Sequence, residues 1–146
     1  MRGAPGLGGI HPSQADYFQS VKGGGHGDYR LIVLAPSSVQ ELIDHTILAF
    51  ELAETYRTPV VVFGDAMMGQ MMEPVLMPEA ELPPPNRPWA TTGMEGREPN
   101  IVHTLYLPAD KLEAHCNRLF AKYREIEQKE KRSIKKKWDC RIKRSA

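Results

Sequence analysis

Three short stretches hold residue types suited to chemistry. Arg2 stands at the head of "RGAPGLGG", a guanidinium beside small residues. That setting suits bidentate capture of a carboxylate, and the plain alternative is a solvated terminal arginine. His26 lies between Gly25 and Gly27 in "KGGGHGDYR". The glycines give its backbone unusual freedom, and a histidine held there can donate a hydrogen bond or carry a proton. Asp65 sits in Gly64-Asp65-Ala66, directly after the apolar run "PVVVF".

Phosphate cradles are excluded by spacing. A Walker loop needs G-K-[ST] after its glycines, and neither glycine stretch has it. The dinucleotide pattern fails at Gly6-Leu7-Gly8, because His11 stands where the last glycine belongs. Gly64-Asp65-Ala66 falls one residue short of the Gly-Asp-Gly diphosphate motif of thiamine enzymes, and Asn86 lies in a proline-rich stretch. Asp65 therefore reads as a loop-capping acid. His11, His26, His45, His103 and His115 form no metal-ligand spacing with one another or with Cys116 and Cys140. His45 reads as a core or surface residue of a helix.

The elements that must position these residues follow from periodicity. "YRLIVLAP" is a short branched apolar run stopped by Pro36, a buried strand. Ser38 and Glu41 have capping-box spacing. Val39, Leu42, Ile43, Ile47 and Phe50 then recur at helical spacing, widened by Leu48 and Leu52, so most of this helix is expected to be buried. Thr58-Pro59 ends it, and "PVVVFGD" forms a second strand. Strand, helix and strand make a parallel βαβ unit, whose ligands bind beyond the carboxyl ends of the strands. Those ends are Ala35-Pro36-Ser37 and Gly64-Asp65-Ala66, whereas "GGGHGD" precedes the first strand.

Around this unit the signals are weaker. "HPSQADYFQSVK" predicts a short helix with Phe18 and Val21 on its apolar side. Met67, Met68, Met71 and Met72 predict either an adaptable apolar surface or a short packed helix. Residues 78–107 read as an extended Pro-rich connector, in which "IVHTLYLP" is a candidate third, edge strand. The last helix starts with Asp110 and Glu113 at capping spacing and carries Leu112, Cys116, Leu119, Phe120 and Tyr123 as its stripe. Past Tyr123 the stripe fades, so that half is expected in solvent or on a partner.

Bulk composition sets the class. With 146 residues, 41% hydrophobic and 25% charged, the chain is long enough for one soluble domain. Its net charge of +1 hides an asymmetry: from Lys122 onward there are eleven Lys or Arg against four Asp or Glu. The tail "KRSIKKKWDCRIKRSA" could hold a phosphate backbone and stack Trp138 on a base, but no reader fold accompanies it, so nucleic acid is not expected. Two separated cysteines, and no apolar run of spanning length, fit a cytoplasmic chain with no membrane partner.

Taken together, "RGAPGLGGIHPSQADYFQ", "KGGGHGDYR" and "GQMMEPV" resemble the thiamine-pyrimidine-binding region of the 2-oxoacid:ferredoxin oxidoreductases, from Arg2 to about Arg132. The likeness is strongest to alpha-type subunits of the branched-chain 2-oxoisovalerate enzymes, with the 2-oxoglutarate enzymes next. It implies an α/β fold: a partial thiamine-diphosphate-binding domain of the pyrimidine type, with a parallel βαβ core in residues 1–77. The connector 78–107, a helix 108–132 leading towards a second domain, and an unrelated basic tail 133–146 follow. The implied reaction is oxidative decarboxylation of a 2-oxoacid to acyl-CoA, with electrons passing to ferredoxin. Thiamine diphosphate would be shared with a beta-type partner subunit, and magnesium and iron–sulfur clusters would sit in partner subunits only.

By the same resemblance Arg2 corresponds to the arginine that faces the substrate carboxylate, and Gly25, His26, Gly27 and Asp28 lie near the interface around the active site. No catalytic residue is implied here, because the family's glutamate that touches the aminopyrimidine lies before the equivalent of Met1. The expectation is an internal piece of the subunit, inactive alone and marginal or self-associating without partners. The alternative is a non-catalytic docking module or a gene remnant.

Overall fold

A computed structural model of the chain describes residues 9, 13, 15–22, 26–78 and 87–130. Helix α1 spans Tyr17–Val21, strand β1 Ile32–Leu34, helix α2 Val39–Tyr56 and strand β2 Val60–Val62. A single 3₁₀ turn at Met68–Gln70 and helix α3, Ala109–Lys129, complete the order. β1 and β2 are parallel, with Ile32 beside Val60 and Leu34 beside Val62. The ladder runs one bond past each end: Ile32 N donates to Pro59 O at 3.3 Å and Phe63 N to Leu34 O at 2.8 Å. The βαβ unit expected from the sequence is therefore present, built from branched residues that fit a pleated surface.

α2 starts and stops as its sequence dictates. Ser38 is the N-cap, and its hydroxyl accepts from Glu41 N at 3.1 Å. At the other end Arg57 takes the left-handed conformation, φ 47° and ψ 51°, and Thr58 N closes the turn on Ala53 O at 3.2 Å. Glycine is the usual residue there. Arg57 instead lays its guanidinium over Trp89, 5.1 Å from the ring centroid, and Arg87 pairs with Glu54. Both contacts hold the start of the described connector against α2.

Burial is thinner than the stripe on α2 implies. Among the described residues only Pro36, Leu52 and Thr58 are buried. Val39, Leu42, Ile43, Ile47 and Leu48 are half-buried, and Phe50 is 68% exposed. Two strands cover only one side of an eighteen-residue helix, so a wide stripe outruns its cover.

Four further expectations change. Residues 101–107 form no strand and lie mostly exposed. A strand exists only where a neighbour accepts its hydrogen bonds, and none lies beside them among the described residues. The N-cap of α3 is Pro108, with no side-chain cap bond, so the Asp110–Glu113 spacing is not used as a capping box. The second half of α3 returns to the body: Lys122 Nζ donates to Tyr56 O at 3.3 Å, and Tyr56 OH donates to Glu130 Oε1 at 2.8 Å. Tyr123 and Ile126 face β1 and Leu52 across a cavity of about 280 Å³. Of the predicted first helix, only Tyr17–Val21 is helical among the described residues, and Phe18 and Val21 are exposed.

Candidate functional site

Parallel sheets bind ligands where their strands end, so the carboxyl edge of β1 and β2 is the first place to look. There the chain is tied to itself. Glu41 Oε2 accepts from Ser37 N at 2.7 Å and from Ser37 Oγ at 2.8 Å. The carboxylate thus reaches one residue further back than a standard capping box, fastening the turn after β1. Asp65 Oδ1 accepts from Met68 N at 2.7 Å and opens the 3₁₀ turn after β2. It is the capping acid its sequence position suggested.

The segment after the turn is fastened by two side chains that periodicity did not single out. Gln40 brackets Leu76: its Oε1 accepts from Leu76 N at 2.7 Å, and its Nε2 donates to Leu76 O at 3.1 Å. The same amide donates to Asp44 Oδ1 at 3.0 Å. Glu73 Oε2 accepts from Val39 N, the first amide of α2, at 3.4 Å. The backbone of residues 71–77 is held while its side chains point out. Met72 is 98% and Leu76 84% exposed, and Met67, Met71 and Met77 are exposed with them. The packed methionine helix is thereby replaced by an apolar ledge. The string "GQMMEPV" overlaps these ties, but nothing in its spacing marks the bonds.

A diphosphate at this edge would need free amides and a metal-binding group. The start of a helix normally offers free amides and a positive dipole end to an anion. Here Ser38 and Glu73 already occupy the start of α2. Asp65 is spent on its turn, and the described residues contain no group of three metal-ligating side chains. A diphosphate with its magnesium does not fit these residues. The segment beside this edge presents exposed apolar side chains instead.

The predicted site residues lie elsewhere. Arg2 and Gly25 fall outside the described residues. His26, Gly27 and Asp28 are exposed and sit at the amino end of β1, the length of the strand away from Asp65. Gly27 has φ 83°, with nothing within 4 Å of a Cβ placed on it. Gly27 and Asp28 border a cavity of about 640 Å³ with Lys22 and Arg30, two cations that the sequence reading passed over. His45, half-buried on α2, has a buried Nδ1 with no hydrogen-bond partner.

Comparison with known proteins gives a consistent result. The family described as "Pyruvate flavodoxin/ferredoxin oxidoreductase, thiamine diP-bdg" matches residues 1–133. The ketoisovalerate oxidoreductase subunit VorB of Methanothermobacter marburgensis is 50% identical over 133 residues, 90% of this chain and 38% of that protein. Its counterpart in Methanothermobacter thermautotrophicus is 52% identical over the same shares. The 2-oxoglutarate synthase subunit KorA of the latter organism is 49% identical over 80 residues, 54% of this chain and 21% of that protein. The chain thus spans 38% of the length of the VorB relatives. No solved structure matches.

Proposed function

Because the chain belongs to the thiamine-diphosphate-binding family of pyruvate flavodoxin/ferredoxin oxidoreductases, we propose that it supplies the pyrimidine side of a thiamine site shared with another subunit. The observation that carries this reading is the carboxyl edge of the sheet. It presents apolar side chains, and its one helix start is filled by Glu73. The diphosphate and magnesium are then held by a partner. Bound thiamine diphosphate would supply carbanion stabilisation for loss of carbon dioxide from a 2-oxoacid. This chain's part is to seat the ring and exclude water with Met67, Met71 and Met72.

The finer assignments belong to the same proposal. The substrate is a 2-oxoacid of the 2-oxoisovalerate or 2-oxoglutarate type, the acyl acceptor is coenzyme A, and electrons pass through iron–sulfur clusters of other subunits to ferredoxin. Arg2 faces the substrate carboxylate. His26, with Gly25, Gly27 and Asp28, lies by the partner interface. Residues 1–77 form the domain piece, 78–107 the connector, 108–132 a helix that packs back on the body before leading towards a second domain, and 133–146 the tail. The chain works in the cytoplasm, and no described helix is long and apolar enough to cross a membrane. It is inactive alone and gains activity only with the partner that holds the diphosphate and magnesium.

A second reading draws on the exposure of Met72, Leu76 and Met77: a non-catalytic module that only docks on partner subunits. One experiment separates the two. The chain is mixed with beta-type partner subunits, and 2-oxoisovalerate-dependent reduction of ferredoxin is followed. Thiamine-dependent activity of the mixture, absent from either part, is expected. Assembly without activity supports the docking module, and tight binding of magnesium thiamine diphosphate by the chain alone overturns the shared site.

A further inference from the structure

The cavity at the amino end of β1 lies at the opposite end of the strand from the methionine ledge and has a different chemistry. Lys22 and Arg30 both border it, and neither is in an ion pair among the described residues. Asp28 is the one acid on its wall among the described residues. Gly27 adds a left-handed backbone with open space on its Cβ side, so a ligand can approach the main chain closely. Tyr29 and Phe120 add ring surface, Phe120 from the far wall on α3. At about 640 Å³ the cavity is the size of ordinary small-molecule sites.

We propose that this cavity binds a phosphorylated ligand carrying an aromatic ring. The phosphate sits on the Lys22 ammonium and the Arg30 guanidinium, whose planar fork matches its oxygens. The ring packs on Phe120 and Tyr29. Asp28 repels the phosphate from its own side of the cavity and accepts from a ligand hydroxyl, which fixes the orientation. A nucleoside diphosphate carries all three parts, so ADP is the probe. The proposal does not depend on the thiamine reading, since no residue of the methionine ledge borders the cavity; Gly27 and Asp28 stand by the partner interface under that reading, so the titration uses the chain without partner subunits.

The test is calorimetric titration of the full chain with ADP, inorganic pyrophosphate and adenosine. ADP is expected to bind at least about tenfold more tightly than either part, because each part keeps only one of the two contacts. Arg30→Ala is expected to weaken ADP about tenfold, the loss of one charge-assisted interaction. Phe120→Leu is expected to weaken ADP and leave pyrophosphate unchanged. Lys22→Gln, on an exposed residue, repeats the charge test should Arg30→Ala lose its helical circular-dichroism signal. No ADP binding at millimolar concentration, ADP binding indifferent to both charge variants, or pyrophosphate binding as tightly as ADP overturns the proposal. The last result reduces the cavity to a plain anion site.

Discussion

The two ends of β1 treat polar groups in opposite ways. At the carboxyl end Ser37, Ser38, Gln40, Glu41, Asp65 and Glu73 are all engaged with other parts of the chain. At the amino end Lys22 and Arg30 stand around a cavity with no ion pair among the described residues. The first end spends its polarity on holding a backbone still so that apolar side chains can be displayed. The second leaves its charges out of any ion pair among the described residues, and under the proposal above they hold an anion. Exposed apolar groups on a fixed frame suit a surface that another molecule covers, whereas uncommitted cations suit an anion.

Three variants break or sharpen this contrast. The largest effect is expected from Leu52→Ala, because among the described residues Leu52 is the one buried apolar side chain that lines the space between β1 and α3. It should cost about 2–3 kcal/mol in urea unfolding, the low end for such truncations since this thin core can collapse. A loss under half of that would show that α3 does not depend on the body. Gln40→Ala should act locally. Losing a hydrogen bond worth about 1 kcal/mol should speed amide exchange at Leu76 by about fivefold, with the amino-end residues 26–30 unchanged. Equal change at both ends would erase the distinction between them.

The smallest effect is conditional on pH. The Tyr56 phenol is held above its ordinary value of 10.0, first because it donates to Glu130 and then because of burial. A raised folded value means its contribution is whole below pH 10 and fades as pH climbs through that value. Lys122, lowered first by burial and then by the Arg57 charge, runs the other way over the same alkaline range. Tyr56→Phe should therefore loosen the end of α3 at neutral pH and remove only the falling component of the alkaline profile. Protection at Ile126 and Lys129, measured against unstructured amides at the same pH, that still falls above pH 10 in this variant would assign the effect to another group.

What could be read from the sequence follows a physical divide. The βαβ unit, the Ser38 cap and the capping use of Asp65 depend on neighbours within a few residues, and each was legible. The ties that build the ledge join residues 34 and 36 positions apart, Val39 to Glu73 and Gln40 to Leu76, and no local pattern marks them. The return of α3 is further still, Tyr56 to Glu130 across 74 positions. Its fading stripe suggested a helix leaving the body, yet one phenol and one ammonium bring it back. "IVHTLYLP" had the composition of a strand and lacked only the neighbour, which composition cannot report. Phe50 followed the helical period and still faces water, because periodicity gives a face and not the presence of something to cover it.

Glu73 carries a last consequence. A carboxylate resting on the first amide of α2 makes the chain its own counterion at the edge where the strands end. Under the proposed reading, a cofactor with a flat ring at one end and a string of negative charges at the other meets a wall that accepts only the ring. It is turned round by repulsion before any attractive contact selects its direction, and the subunit works as a one-way slot whose polarity is set by what it refuses.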